Sequence, residues 1–331
     1  MARMSFAYIL AVLTIAVAAC SGGEHGATPP TSSAHNGTSA RMTVALITHQ
    51  APGDTFWDLV RRGAEAAAAK DNVELQYSHD PDAAAQANLV RAAVSAKVAG
   101  IAVTLADPVV MTPAVQAAIA AGIPLVVVNS GIADWKSLGV MEYFGQDETI
   151  AGRAAGERFT HEGAQNALCV IHEPGHVGLE ARCDGLTSGF AGKTQKLYVD
   201  SVDKEAVKSA VMAKLQQDFS IDRVLTLGAP VALATLEAVA EVNSYAKVAT
   251  FDTNAGVVDA IKNGMIEWAI DQQPFLQGYL AVDSLWLYFT NKNVIGGGQP
   301  TLTGPSFVDE TNRSEERRVG KECRSRWSPY H

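Results

Sequence analysis

Residues 42–57 (MTVALITHQAPGDTFW) decide the fold. The first seven, MTVALIT, form an unbroken apolar run of strand length with no alternation, as a strand does when both its faces are covered. Pro52 and Gly53 then break the chain, and from Phe56 an Ala-rich stretch to Lys70 carries helical spacing. Strand, short loop and helix make half of a βα unit. Two adjacent aromatics, Phe56 and Trp57, stand where the loop turns into the helix. Neighbouring helical positions point about 100° apart, so at most one of the two is needed by the core.

The same unit recurs along the chain. Strands are expected at 73–78, 100–105 and 124–129, with helices at 83–97 and 112–121. A short strand at 143–145 and a helix at 148–162 follow. The pattern then restarts, with strands at 167–172, 196–200, 223–227, 248–251 and 268–271. Helices at 179–190, 204–219, 231–243 and 255–263 lie between them, and a long helix at 274–289 closes the series. Strands separated by helices of this length predict an α/β fold of parallel sheets covered on both faces. Two successive runs predict two doubly wound lobes, 41–144 plus 274–295 and 145–273 plus 296–312. The chain would cross between them three times, near Gly145, near Gln272 and at 296–303.

Neither end reads as part of this fold. Residues 1–20 start basic at Arg3, run apolar and close on Val17-Ala18-Ala19-Cys20, the pattern of a secretory signal. The last four resemble the lipobox of bacterial lipoproteins, which implies lipid on Cys20; an ordinary signal cleaved elsewhere is the alternative. Residues 21–40 are Gly, Ser, Thr, Ala and Pro without period, a flexible tether. Residues 313–331 are basic, lack any period and look like a vector-derived tail. About 270 residues remain, enough for two cores. The formal net charge of −9 argues against a nucleic-acid partner. Cys169 and Cys183 stay as a candidate disulfide in an oxidising compartment, with two buried thiols as the alternative.

In open α/β sheets ligands bind beyond the carboxyl ends of the strands. Those ends carry Gln50, Asp54, Phe56, Trp57, Asp107, Asn129, His172, Glu173, Arg182, Phe251, Asp252 and Gln272. Aromatic faces beside amides, carboxylates and a guanidinium suit a neutral polyhydroxylated ring, whose C–H faces pack while its hydroxyls donate and accept. The set contains no cofactor fingerprint and no metal centre. HEPGH (172–176) has the letters of the H-E-x-x-H zinc motif, but Pro174-Gly175 breaks the helix that motif needs. His172 and Glu173 read better as cleft residues, and His176 as a solvated one. Arg182 could instead pair with Asp184, and Asp147 and Glu148 cap a helix rather than touch ligand.

On these residues the chain resembles the type I periplasmic sugar-binding proteins, the ribose, galactose and inositol group that serves ABC importers. The Phe56-Trp57 pair, Asp107, Asn129, the Gly145-Gln146-Asp147 crossing, Arg182 in ARCDGL, Phe251-Asp252 and Gln272-Gln273-Pro274 fall at the family's strand-end positions, over residues 41–312. The resemblance implies a monomeric, non-enzymatic receptor that closes on a sugar, polyol or inositol-like ligand and presents it to an importer permease. It would act outside the cytoplasm, in the periplasm or held to the outer face of the membrane by its lipid alone. A ligand-presenting partner of a sensor shares that architecture. The chain departs from the family at Gly228-Ala229, where Asn-Asp is usual, and at His49, Gln50 and Asp54 in the first loop. Both departures open the cleft to a less common polyol or an amino-bearing ring. A Rossmann-type enzyme lacks support, since only Gly53 stands where a G-x-G-x-x-G would be required. A repressor would need an N-terminal helix-turn-helix in place of the signal and tether.

Overall fold

The first sheet grows from β1 (Thr43–Thr48), β2 (Glu74–His79), β3 (Gly100–Val103), β4 (Leu125–Val128) and β5 (Glu142–Gly145). Between them run α1 (Phe56–Asp71), α2 (Ala83–Ser95) and α3 (Pro108–Ala120). The second contains β6 (Asn166–Ile171), β7 (Lys193–Tyr198), β8 (Arg223–Thr226), β9 (Lys247–Phe251) and β10 (Ile266–Asp271). Its helices are α4 (Glu148–His161), α5 (Val177–Gly189), α6 (Lys204–Gln217), α7 (Ala229–Glu241) and α8 (Ala255–Lys262). The chain ends through α9 (Pro274–Asn291), β11 (Thr301–Leu302) and β12 (Ser306–Asp309). This computed structural model describes residues 41–200 and 203–312. The expected signal, tether, lipid-bearing Cys20 and basic tail lie outside the described residues.

The sheets repeat one plan. The first has the order β11-β5-β4-β3-β1-β2 and the second β12-β10-β9-β8-β6-β7. Only β12 runs antiparallel to its neighbour. Winding reverses direction between β1 and β3 in one lobe and between β6 and β8 in the other, the points where α/β sheets leave a crevice. Every residue of β3, β4, β6 and β8 is buried, whereas the edge strands β2 (ELQYSH) and β7 (KTQKLY) are polar and half-buried. The unbroken apolar runs are therefore the central strands, each fully buried Val, Leu or Ile contributing about 1.5–3 kcal/mol.

Two expectations change. Helix α3 begins at Pro108 rather than at 112, because Asp107 caps it through Val110 N–H (3.1 Å) and Pro108 occupies the first turn. Pro113 then lies inside the helix, where it cannot donate to the Val109 carbonyl; Val109 is 82% exposed, so water can serve that oxygen. The segment 296–312, expected whole in the second lobe, is divided. β11 pairs with β5 in the first sheet and β12 with β10 in the second. The third crossing thus falls between Leu302 and Ser306.

Glycines set the helix spacing on which the cleft depends. A Cβ on Gly152 of α4 would stand 2.1 Å from the Arg182 carbonyl oxygen of α5, and one on Gly278 of α9 would stand 1.8 Å from that of Val60 of α1. Both contacts are with backbone, which cannot retract as a side chain does, so these helix pairs approach more closely than any residue with a Cβ allows. Cys169 of β6 and Cys183 of α5 are disulfide-bonded, which pins α5 to its sheet from the other side.

Candidate ligand-binding cleft

The loops at the carboxyl ends of the two sheets face each other across a cleft of about 340 Å³, part of it open to solvent. Phe56 and Trp57 form one wall, 8% and 3% exposed, with their rings edge to face at 5.0 Å. The Asp54 carboxylate accepts from the Phe56 N–H (3.0 Å) and so starts α1 with its aromatic pair turned to the cleft. The edge of Trp57 meets the ring of His49, 4.7 Å away.

Asn129 and Asp252 occupy equivalent places, each just after the fourth strand of its lobe. Both take left-handed backbone angles, φ 66° and 64°, which short polar side chains tolerate best. One residue joins them: Gln272 accepts from Asn129 Nδ2 (2.9 Å) and donates to Asp252 Oδ1 (2.8 Å). Gln272 itself stands at the second crossing, directly after β10, and Gln277 Nε2 holds its carbonyl and side-chain oxygens (both 3.1 Å).

Arg182 is the fixed charge of the cleft. Its Nε and Nη2 donate to Glu148 (2.6 and 3.0 Å), its Nη1 donates to the Leu227 carbonyl (3.0 Å), and its guanidinium lies 4.4 Å above the Phe251 ring. Three of the five N–H groups of an arginine are thereby committed and two are left for a ligand. The pairing is with Glu148, not with Asp184, whose carboxylate binds Lys196 instead (2.7 Å).

Burial governs the remaining charges. It lowers His49 to about 3 and His172 to about 4, helped by neighbouring cationic groups, and holds His176 well below its ordinary value. It raises Glu173 and Asp252 to about 7, in Asp252 against the pull of Arg182, and raises Asp54 as well. Near neutral pH the imidazoles are uncharged and two carboxyl groups stand close to half protonation. Such groups both donate and accept, the requirement for meeting hydroxyls. His172 Nδ1 is buried without a hydrogen-bond partner among the described residues, and a Cβ on Gly228 would come within 3.1 Å of its ring. The glycine makes room for the imidazole.

Residues 44–293 match the sequence pattern of the periplasmic binding protein domain. The chain belongs to the periplasmic binding protein family. Several solved structures share its shape. A carbohydrate transporter from Acidothermus cellulolyticus, crystallised with myo-inositol, is 54% identical with a TM-score of 0.83, over 84% of this chain and 99% of that one. A periplasmic sugar-binding protein from Legionella pneumophila is 26% identical with a TM-score of 0.72, over 76% and 97%. The xylose/arabinose-binding protein XylF of Sulfolobus acidocaldarius is 25% identical over 265 residues, 73% of this chain, which spans 64% of that relative's length. The family binds solutes and does not transform them, and its type I members carry the two-sheet α/β architecture described above.

Nine of the residues singled out from the sequence of this binding protein line the cleft: Asp54, Phe56, Trp57, Asn129, His172, Glu173, Arg182, Asp252 and Gln272. Three are held elsewhere. Gln50 is engaged by Tyr77 (2.6 Å) and by the carbonyl of Asp54 (3.1 Å), so it braces the loop. Asp107 is taken up in capping α3. Phe251 is wholly buried beneath Arg182 and supports that side chain from behind. His49, His176, Leu179 and Leu227 join the lining instead. His176 is not solvated: its Nδ1 caps α5, accepting from the N–H groups of Gly178 and Leu179 (3.0 and 3.4 Å). The signal for it was the Pro174-Gly175 turn, which places His176 at a helix start. Histidine is outside the usual N-cap set of Ser, Thr, Asp and Asn, so its role was easily overlooked.

Proposed function

We propose that this binding protein captures a cyclic polyol of the inositol class between its lobes and presents it to an ABC importer. The observation that carries the reading is the cleft chemistry itself: an aromatic corner beside groups that both donate and accept. The relative solved with myo-inositol favours a six-membered polyol over a pentose. Phe56 and Trp57 pack against the C–H face of the ring. Asp54, Asn129, Glu173 and Asp252 accept from hydroxyls, and Arg182 and Gln272 donate to them. The lobes close by rotation at the three crossings.

A thermal-unfolding panel of myo-inositol, scyllo-inositol, aminocyclitols, xylose, arabinose, glucose and galactose tests this. Inositols at a hundred times their Kd should stabilise the protein by about 2.7 kcal/mol, raising Tm by several degrees. A rise with pentoses alone would move the assignment to that class, and no rise with any polyol would end it.

The protein is further proposed to work on the outer face of the cell membrane, held by lipid on Cys20. Expressed in a bacterial host with its signal, the Cys20→Ala protein should partition into the soluble fraction while the parent stays with membranes. Equal membrane retention of both would refute the anchor.

A further inference from the structure

The cleft contains a chain of hydrogen bonds that ligand contact does not require. Two backbone N–H groups of α5 point at His176 Nδ1 (3.0 and 3.4 Å). A nitrogen that accepts carries no proton, so the neutral ring of His176 is protonated at Nε2. That atom lies 3.0 Å from Nε2 of His49, which must then accept. The His49 proton is therefore on Nδ1, which donates to Thr104 Oγ1 (2.7 Å), an oxygen held also by Gln86 Nε2 (2.8 Å). His49 follows β1 and Thr104 follows β3, both in the first lobe, whereas His176 belongs to the second. Beside this chain Val177 N–H donates to the Ala106 carbonyl (3.2 Å), again across the lobes.

The chain works only with both imidazoles neutral. A proton added to His49 Nε2 sets N–H against N–H at the 3.0 Å gap, and one added to His176 Nδ1 faces the Gly178 and Leu179 N–H groups that this nitrogen now accepts from; either turns an attraction into a repulsion. We propose that the His49–His176 pair is a proton-sensitive latch between the lobes, closing the cleft when both rings are neutral and favouring opening and ligand release on acidification. This rests on the reading of the cleft as a ligand site that closes. Glu173 brings a third potential metal-ligand atom within 4.8 Å of the two histidines. A histidine that ligates through Nε2 needs its Nδ1 proton donated elsewhere, and here Nδ1 of His176 receives two donors. The geometry thus favours the latch over a cation.

The sign follows from what each group meets in the two forms. In the open form the imidazoles face water, near pKa 6.5. Closure buries them beside His172 and Arg182, which keep them neutral, with His49 down at about 3. Below about pH 6.5 closure must expel their protons, so the closed form loses about tenfold per histidine per pH unit. Asp54, Glu173 and Asp252 act in the opposite sense, because burial raises them and an empty cleft takes up protons on closing. A bound polyol donates hydroxyls to those carboxylates and removes most of that contribution. Glu148 is committed to Arg182. Comparison with a variant lacking only the latch isolates the histidines.

His176→Asn keeps a capping side chain, cannot be protonated in this range, and is too short to reach His49 Nε2, so it removes the pair that protonation disrupts. Calorimetric Kd values for myo-inositol at about pH 7.5 and about pH 5.5 should show wild type weakening relative to the variant by about ten- to a hundredfold. Small-angle scattering without ligand should show wild type expanding more than the variant over the same range. Should His176→Asn fail to fold, His49→Gln serves in its place. If myo-inositol binds neither protein at either pH, it is the ligand assignment that fails, and scattering decides the latch. An identical pH response of wild type and variant overturns it.

Discussion

Arg182→Met is expected to lower the unfolding free energy by about 3–5 kcal/mol and to abolish ligand capture. Arg182 and Glu148 are each 4% exposed, and their fork-to-fork pairing is the only salt bridge among the described residues with both side chains nine-tenths buried or more. Removing the guanidinium leaves a carboxylate in the interior with one remaining partner, Gln146 Nε2 (2.8 Å). It also leaves the Leu227 carbonyl without its donor. Urea unfolding gives the stability loss and calorimetry the affinity. A second substitution separates the two effects. Glu148→Leu added to the Arg182→Met protein removes the orphaned charge, so much of the lost stability should return, while binding stays absent because the cleft still lacks its cationic donor. A loss below about 1 kcal/mol in the single variant would mean that water reaches Glu148, and that the pair does not anchor the cleft.

What the sequence made legible follows a physical division. Strand runs such as MTVALIT and RVLT announce themselves because full burial on both faces demands continuous apolar residues. The edge strand KTQKLY is softer, and it begins three residues before its expected start for that reason. Residues whose function lies in facing the cleft, such as Trp57, Asn129 and Asp252, were visible because a strand end is a definite place. Those missed or misplaced depend on contacts between distant segments. Gln50 is drawn away by Tyr77, 27 residues later, and nothing local marks that choice. His49 and His176 lie 127 positions apart and acquire meaning only when the two lobes face each other. Asp107 was a choice between capping and binding for one carboxylate. The cap prevailed because Pro108 already fixes the first helical turn, leaving Val110 N–H aimed at it.

Replacing both Cys169 and Cys183 by Ala is expected to cost about 3 kcal/mol, the chain-entropy value for a loop near 15 residues; the separation here is 14. Both cysteines are wholly buried, so small voids add to the loss. The consequence reaches further than stability, because of what the closed loop contains. His172, Glu173 and His176, together with Arg182, all lie between the two cysteines. The bond therefore closes the very segment that supplies much of the second lobe's share of the cleft, and holds its helix against the sheet opposite the glycine-lined face of α4. Loss of the bond should loosen α5 on both counts and weaken ligand binding more than a distant change of equal ΔΔG. Gly163→Ala provides that distant comparison, since its positive φ of 76° makes Ala costly with nothing within 4 Å of the added carbon. Guanidinium unfolding would show a higher m-value in the Ala pair, since the unfolded chain is freed of its loop. If the Ala pair and Gly163→Ala, compared at equal stability loss, affect Kd equally, the disulfide is a general staple; a greater fall in the Ala pair identifies it as the support of the cleft wall.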